Sequence, residues 1–350
     1  MIRKNLLEKV LVVVFSLIFS FTLMEILTRI SLEIKGKKRL FQSDEVIGWV
    51  PKPNIKYSRN LLSSKNRKYK AYYSTDEKGF RYRTDLKLNK NKFKKAKKLL
   101  IIGDSYTGGA YSSDNQAWFA YLDKKLNLDV YAYGIAGSGT LQQWLAYKRL
   151  KNYVNPDIVL IQACQNDIFN DSIEYSYRTF TRNQALRTPY LKDNKLYYRN
   201  EFHVKIYRFL LKHSNLFYLF DYGLMVFQID LFNFKENLPN NELDKALYNW
   251  QKIYNGYIKE IRNDGVEKIW SVNCISSIDP NLRIKNFQTW IKTSKSNNVL
   301  IFEKPNDDIF KKSKENVDVY YLDGSHLSDI GNKVFGESLV NEIISKEIID

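Results

Sequence analysis

The order of apolar and polar residues divides the chain into one long apolar segment near the N-terminus and a larger region of short, alternating elements. In that region, Leu99–Ile102 is a continuous apolar run that ends in a glycine, as is typical of a strand buried in a parallel sheet. Similar runs predict strands at 128–133, 158–161 and 266–272, and we expect either 299–302 or 317–321 to supply a fifth strand.

Helical periodicity occupies the intervals between these runs. It predicts helices at 116–126 and 141–153, a long amphipathic helix at 243–261, and a final helix that begins at Ser328. Strands that alternate with helices indicate a parallel sheet covered on both faces. We therefore predict the α/β class, and within it a three-layer α/β/α sandwich around a central, mostly parallel five-stranded sheet.

The apolar segment Val10–Leu27 is just long enough, at ~1.5 Å per residue, to span a hydrocarbon core of about 30 Å. We predict a transmembrane signal anchor at 10–28, preceded by a basic N-terminus at 1–9. A buried core helix is disfavoured because the segment is apolar on all sides, and no small-residue cleavage site follows it. Basic residues flank both ends and do not fix the orientation. We place the remaining chain on the extracytoplasmic (periplasmic or outer) face because such segments usually direct export.

The soluble part has three predicted regions. Residues 29–97 are polar and turn-rich, and we interpret them as a linker and an accessory β segment that leads to the α/β domain at 98–350. Within that domain, residues 169–242 interrupt the alternation of strands and helices with a segment rich in Tyr, Phe, Arg and Asn. This insertion is either a lid that recognises substrate or a helical cap that fills space over the sheet.

Composition adds two constraints. The 55 Lys and Arg residues exceed the 38 Asp and Glu residues by 17, which raises the possibility of an anionic partner. The basic residues are spread along the chain without a nucleic-acid motif, so we expect a solvated surface and no nucleic-acid partner. The two cysteines, Cys164 and Cys274, are too few for a disulfide framework or a metal cluster. We expect buried thiols, with one disulfide as the alternative in an exported domain.

Candidate chemistry lies where the predicted strands end. Ser105 follows the first strand, Gly134 the second and Asn166 the third, and Asp323 precedes His326 by three residues on a tight turn. The carboxyl ends of parallel strands share one edge of a sheet, so these residues are expected to meet there. His326 is one of three histidines; His203 and His213 have no acidic or cysteine partner at ligand spacing and are expected to be surface or packing residues.

Four short blocks, Gly103-Asp104-Ser105, Gly134, Asn166-Asp167 and Asp323-x-x-His326, resemble in order and position those of the SGNH/GDSL hydrolases. The upstream Gly48-Trp49-Val50-Pro51 and Gly79-Phe80-Arg81 resemble a membrane-anchored bacterial branch of that family. The resemblance implies an SGNH, flavodoxin-like domain. It also implies that Ser105 is the nucleophile, His326 the base and Asp323 its orienting carboxylate, with an oxyanion hole formed by the Ser105 and Gly134 amides and the Asn166 side chain.

Elementary chemistry agrees with these implied roles. A serine hydroxyl needs a base to take its proton, and the imidazolium that forms is stabilised by a carboxylate. Two positions depart from the family pattern: Cys164 replaces a usual glycine, and Tyr133 replaces a frequent asparagine. Asp104 is expected to cap or brace the turn, and Asp167 to cap the helix after the third strand. Neither is expected to be catalytic.

The leading hypothesis is a membrane-anchored serine esterase that works through an acyl-Ser105 intermediate. It would remove O-acetyl groups from cell-envelope glycans or transfer them, with an acylated carbohydrate or another ester as substrate and with no cofactor or metal. The alternative is a catalytically decayed SGNH module that holds envelope glycans for a partner enzyme.

Overall fold

A computed structural model of the protein describes residues 2–34, 39–81, 96–173, 187–226, 242–274 and 280–346. Contacts divide the chain into two units. One contains Met1–Arg39 and Asn200–Asn233, and the other contains Leu40–Arg199 and Phe234–Asp350. The second unit carries all the candidate site residues and is described first.

The described strands comprise three two-stranded antiparallel hairpins and one five-stranded sheet. In chain order they are β1 (Phe41–Asp44), β2 (Gly48–Pro51), β3 (Lys56–Leu62), β4 (Lys68–Ser74), β5 (Lys97–Gly103), β6 (Leu128–Gly134), β7 (Ile158–Cys164), β8 (Tyr190–Lys192), β9 (Lys195–Tyr197), β10 (Lys268–Cys274) and β11 (Leu300–Phe302).

The described helices vary from single turns to a helix of 33 residues. They are α1 (Ile2–Ile34), α2 (Ser105–Gly108), α3 (Trp118–Lys125), α4 (Thr140–Val154), α5 (Asp167–Asn170), α6 (Phe202–His213), α7 (Asn215–Val226), α8 (Glu242–Asn263), α9 (Pro280–Ser296), α10 (Lys304–Lys314) and α11 (Asp329–Ser345).

The central sheet confirms the predicted fold class. Its strands run in the order β6-β5-β7-β10-β11, and every neighbouring pair is parallel. Numbered within the sheet, this is the doubly wound 2-1-3-4-5 arrangement. Successive strands are added to one side of β5 first and then to the other side, starting with β7. Ligands of such sheets bind at this switch point, beyond the carboxyl ends of the strands. Ser105 and Asn166 follow these two strands.

Helices cover both faces of the sheet because the strand side chains alternate between two cores. Leu100 and Ile102 pack with α4, α8 and α9, whereas Leu99 and Ile101 pack with α3, α10 and α11. All four of these β5 side chains are fully buried, which explains why the strand is a continuous apolar run.

Some element boundaries differ from those predicted. The fifth strand is β11, and segment 317–321 remains outside the sheet, where Tyr320 forms an isolated antiparallel bridge with Leu327. Helices α9 and α10 were not expected from the apolar pattern.

In segment 169–242, the β8–β9 hairpin does not join the central sheet. Residues 174–186 and 227–241 of that segment lie outside the described residues, and its interpretation as a lid or a helical cap stays a prediction.

The first unit contains α1, α6 and α7. Residues Glu8–Leu32 of α1 are long and apolar enough to cross a membrane and are not buried inside the protein. Near the end of this stretch, Glu25 accepts hydrogen bonds from Ser214 Oγ (2.7 Å) and from the backbone N–H groups of Asn215 (2.8 Å) and Leu216 (2.9 Å). The carboxylate of α1 therefore satisfies the free amides at the start of α7.

Candidate active site

Ser105 lies on a sharp turn between β5 and α2. The Asp104 carboxylate accepts a hydrogen bond from the Tyr106 N–H (3.0 Å) and so caps this single turn of helix, as expected. Gly109 ends the turn in the left-handed conformation, with φ of 55°, which glycine adopts without strain. The strand, the cap and the glycine together place the Ser105 hydroxyl at the carboxyl edge of the sheet.

His326 links Ser105 to Asp323. Its Nε2 atom lies 2.8 Å from Ser105 Oγ, and its Nδ1 atom lies 2.6 Å from Asp323 Oδ2. Residues 221 positions apart in the chain thus form one hydrogen-bonded series. In this geometry the imidazole can receive the serine proton at Nε2 while Nδ1–H donates to the carboxylate.

Asp323 is held as an ion. Burial alone would raise the pKa of its carboxyl, but hydrogen bonds from the His326 ring and from the His326 and Ser325 backbone N–H groups lower the pKa to about 2. Asp323 is therefore ionised throughout the neutral range. An ionised carboxylate stabilises an imidazolium at His326.

The accessory hairpin β3–β4 supports the turn that carries His326. Leu322 N–H donates to Leu62 O (3.1 Å), and Ser64 N–H donates to Tyr320 O (2.9 Å). Arg67 pairs with Asp318 on one side of the turn (2.9 Å) and with Asp329 on the other. The region predicted as an accessory β segment thus contacts the histidine loop directly.

Arg81 is a supporting residue that was not predicted to have a role at the site. Its side chain is only 1% exposed and pairs with Asp114 at 2.8 Å. It also donates to Gly109 O (2.7 Å) and to Gly108 O, the carbonyls that end the Ser105 turn. The signal in the sequence is the Gly79-Phe80-Arg81 motif, which indicated a family resemblance but no contact with the serine turn.

Replacing Arg81 by methionine should destabilise the protein by about 3–5 kcal/mol, because it leaves the Asp114 carboxylate buried without its cation. Urea unfolding of the full-length protein measures this loss. The matched control is Arg149→Met, which breaks the more exposed pair with Asp44 and should cost about 1 kcal/mol or less. Equal losses in the two variants would contradict the structural role given to Arg81.

Gly134 and Asn166 also lie beside the Ser105 turn. A Cβ atom on Gly134 would stand 1.9 Å from the Gly108 amide nitrogen, so only glycine allows the end of β6 to approach α2 this closely. The Asn166 side chain hydrogen-bonds with Asp104, and its Nδ2 atom lies 3.4 Å from Ser138 O. The oxyanion-hole roles of Gly134, Asn166 and the Ser105 amide remain predictions.

Three buried carboxyl groups, Asp104, Asp167 and Asp171, lie beneath this edge of the sheet. Burial raises the pKa of each; the charges of Asp104 and Asp171 add to the effect at Asp167. Asp167 does not cap the helix after β7, contrary to expectation, because the N-cap of α5 is Asn166. Asp167 instead accepts the Cys164 N–H at 3.0 Å, which braces the end of β7.

Asp171 caps a different helix. Its two oxygens accept the N–H groups of Thr140 and Leu141, both at 3.0 Å, at the start of α4. The preceding Gly139 leaves room for the carboxyl, since a Cβ there would lie 2.3 Å from Asp171 Oδ1. Burial outweighs these hydrogen bonds and raises the pKa of Asp171 from 3.8 to about 7.

This shift predicts a pH dependence of stability. Between about pH 4 and pH 7 the folded protein holds a proton on Asp171 that the unfolded chain has lost, so the free energy of unfolding should fall as pH rises through that window. In Asp171→Asn, whose amide oxygen can still accept an N–H, the fall should be smaller. Urea titrations across the window test this, and an unchanged fall in the variant would contradict a raised pKa at Asp171.

Cys164 and Cys274 form a disulfide between the ends of β7 and β10, with their Cα atoms 5.0 Å apart. The two cysteines were expected to be buried thiols, but they form the disulfide that was the alternative. They pair because the parallel register places the two residues opposite each other. Among the described residues, Asp104 and these two cysteines form the one cluster with metal-ligand spacing. Since the sulfurs are bonded to each other, the cluster offers no thiolate ligand.

The domain is similar to a known protein family. A model of the GDSL-like lipase/acylhydrolase family matches residues 99–339, which include all the candidate site residues. The chain belongs to this family. This GDSL acylhydrolase is thus an enzyme of the ester-hydrolase class. None of the curated proteins compared with it matches the chain.

Solved structures similar to this GDSL-family chain include the psychrotrophic esterase EstA from Pseudoalteromonas sp., with 12% identity, coverage of 72% of this chain and 98% of that one, and a TM-score of 0.43. The acetyl xylan esterase AlAXEase has 15% identity, coverage of 70% and 99%, and a TM-score of 0.43. Axe2, an acetylxylan esterase from Geobacillus stearothermophilus, has 16% identity, coverage of 72% and 96%, and a TM-score of 0.40.

Proposed function

We propose that the protein is a membrane-anchored serine esterase that removes or transfers small acyl groups, chiefly O-acetyl, on cell-envelope glycans. The observation that carries the proposal is the pair of short contacts at His326, 2.8 Å to Ser105 Oγ and 2.6 Å to Asp323 Oδ2. A decayed binding module would have no need to keep this geometry, so the catalytic hypothesis is favoured over that alternative.

In the proposed mechanism, Ser105 Oγ attacks the ester carbonyl carbon while its proton passes to His326 Nε2. The tetrahedral intermediate collapses when the C–O bond to the alcohol breaks, and His326 returns the proton to the departing oxygen. Water or a sugar hydroxyl then attacks the carbonyl carbon of acyl-Ser105 while His326 takes its proton. The second tetrahedral intermediate collapses when the bond between the acyl carbon and Ser105 Oγ breaks, and His326 returns the proton to Ser105. Asp323 stays ionised and stabilises the imidazolium in both halves of the reaction.

The oxyanion of each tetrahedral intermediate requires preplaced donors, and we assign this role to the Ser105 and Gly134 amides and the Asn166 side chain. Each such donor is worth on the order of 3 kcal/mol in the transition state. The hydrogen bond between Asn166 and Asp104 supports the assignment, because Asp104 directly precedes Ser105.

Aromatic rings beside the site favour a carbohydrate substrate. Aromatic rings surround the histidine: Tyr111 lies 4.6 Å from the His326 ring and 4.2 Å from Tyr321, between ring centroids. Ring faces carry partial negative charge that attracts the C–H groups of a sugar.

Two further observations support a compartment outside the cytoplasm. Residues Glu8–Leu32 are long and apolar enough to serve as the anchor, and disulfides such as Cys164–Cys274 persist mainly in oxidising compartments. We therefore propose that the esterase domain faces away from the cytoplasm.

The substrate class is tested with full-length protein in detergent, using p-nitrophenyl acetate as donor and a neutral oligosaccharide as acceptor. We expect acetate release in water, acetyl transfer to the sugar, or hydrolysis of a pre-acetylated oligosaccharide, all lost in His326→Ala. Mass spectrometry of the sugar separates transfer from hydrolysis. If the glycan were neither acetylated nor deacetylated while p-nitrophenyl acetate was cleaved, the glycan assignment would be wrong and the esterase assignment would stand.

A further inference from the structure

The helical hairpin α6–α7 has three distinct faces along its first helix. Val204, Tyr207 and Leu211 are buried, and Tyr207 packs against Phe217 of α7 and donates a hydrogen bond to Asp221. These contacts define the face of α6 that is turned towards the rest of the first unit. Other positions of α6 are exposed.

One of those faces is apolar although it is exposed. Phe202 is 79% exposed, Ile206 43% and Phe209 61%, and their spacing of four and three residues places them on one side of the helix. Phe220 on α7 is also 49% exposed. Contiguous exposed aromatic and aliphatic groups of this kind mark a contact with a membrane or a protein.

The third face of α6 is basic. Lys205, Arg208 and Lys212 recur at intervals of three and four residues, beside the apolar stripe rather than opposite it. A helix with an apolar stripe bordered by lysine and arginine is typical of segments that lie in the plane of a membrane interface. In such segments, basic groups meet lipid phosphates while apolar groups enter the acyl boundary.

The hairpin is attached to the apolar helix at a defined level. Glu25, which binds the start of α7, precedes the end of the candidate span at Leu32 by seven residues, or ~10 Å along the helix axis. Arg29 connects Glu25 (2.8 Å) to the His213 carbonyl (3.2 Å), and Arg39 donates to Ser214 O (2.7 Å). The last turns of α1 and the junction of the hairpin therefore form one hydrogen-bonded cluster.

From these observations we infer that α6–α7 is an interfacial membrane element, lying at the boundary between the headgroups and the acyl chains of the same bilayer that α1 spans. The inference rests on the membrane anchoring proposed above. At 12 residues, or ~18 Å, each helix is too short to cross a core of about 30 Å. The bilayer covers the stripe at Phe202, Ile206 and Phe209, and the paired Glu25 marks the level at which the hairpin joins the anchor.

The test measures depth in vesicles containing full-length protein and a mixture of zwitterionic and anionic phospholipids. An environment-sensitive fluorophore is attached to a single introduced cysteine at Phe209→Cys, at Ser20→Cys in the middle of the candidate span, or at the exposed Tyr248→Cys in the second unit. The native disulfide is kept oxidised. Spin-labelled lipids quench the fluorophore from near the headgroup or from near the end of the acyl chain.

We expect position 209 to lose most of its emission to the shallow quencher, position 20 to the deep quencher, and position 248 to neither. Quenching at position 20 without quenching at position 209 would overturn the interfacial hairpin and leave the anchor intact, as would a response to the deep quencher at 209. If neither position were quenched, the membrane anchor and the hairpin inference would both be wrong.

Discussion

Replacing Ser105 by alanine should lower ester hydrolysis on the order of 10⁴-fold or more, because the acyl group loses its covalent acceptor. The effect on folding should be small. The Ser105 side chain hydrogen-bonds with His326 and with Asp104, and each bond is worth about 1 kcal/mol. The measurement is the initial rate of p-nitrophenyl acetate cleavage, with urea unfolding of the same sample to establish that the fold is intact.

A serine far from the site provides the matched control. Ser345 lies at the exposed end of α11, where its hydroxyl donates to Glu342 O, and Ser345→Ala should retain the wild-type rate. His326→Ala should resemble Ser105→Ala, and combining the two should add little, because the pair acts as one unit. Additive losses would show that the two residues act in separate steps and would contradict the shared proton transfer.

Gly134→Ala should reduce both stability and activity. The new Cβ would lie 1.9 Å from Gly108 N and 2.4 Å from the Thr107 carbonyl carbon, and both atoms belong to the backbone of the Ser105 turn. Overpacking against backbone costs about 3 kcal/mol or more. Relief requires α2 to move, and a displacement of ~1 Å at a reacting group lowers the rate on the order of 10²-fold. Urea unfolding and initial rates measure the two effects.

Gly223→Ala is the control for this substitution. Gly223 lies in α7, and apart from its chain neighbours and the adjacent helix backbone no atom lies within 4 Å of the place that an alanine methyl would occupy there. The substitution should therefore leave the free energy of unfolding within about 1 kcal/mol of wild type. If Gly134→Ala had the same stability and the same rate of ester hydrolysis as Gly223→Ala, the close approach of β6 to the serine turn would not be required for folding or activity.

The central sheet and the position of the candidate site were largely predictable because both depend on local patterns. A buried parallel strand such as β5 is a continuous apolar run. The residue that follows such a strand lies at the carboxyl edge of the sheet, whichever strands flank it. Ser105 and His326, 221 residues apart, were therefore expected at one edge without knowledge of the strand order, and they lie within hydrogen-bond distance. Element ends were less accurate, because helix ends depend on caps such as Asp104 and Asp171 rather than on periodicity.

The features that could not be predicted depend on contacts between distant parts of the chain. Cys164 and Cys274 pair because β7 and β10 are neighbours in matching register, which requires the sheet order. The burial of Arg81 became evident only with the carbonyls of Gly108 and Gly109 around it. No local pattern around Glu25 indicates that its partners lie near residue 215.

Covalent trapping of the nucleophile tests the serine mechanism most directly. A fluorophosphonate probe is incubated with full-length protein, and the modified residue is identified by digestion and mass spectrometry. We predict one phosphonyl group per chain, on Ser105, with labelling lost in Ser105→Ala and strongly slowed in His326→Ala. Labelling of a different residue, or an unlabelled protein that still hydrolyses ester, would contradict the assignment of Ser105 as the nucleophile.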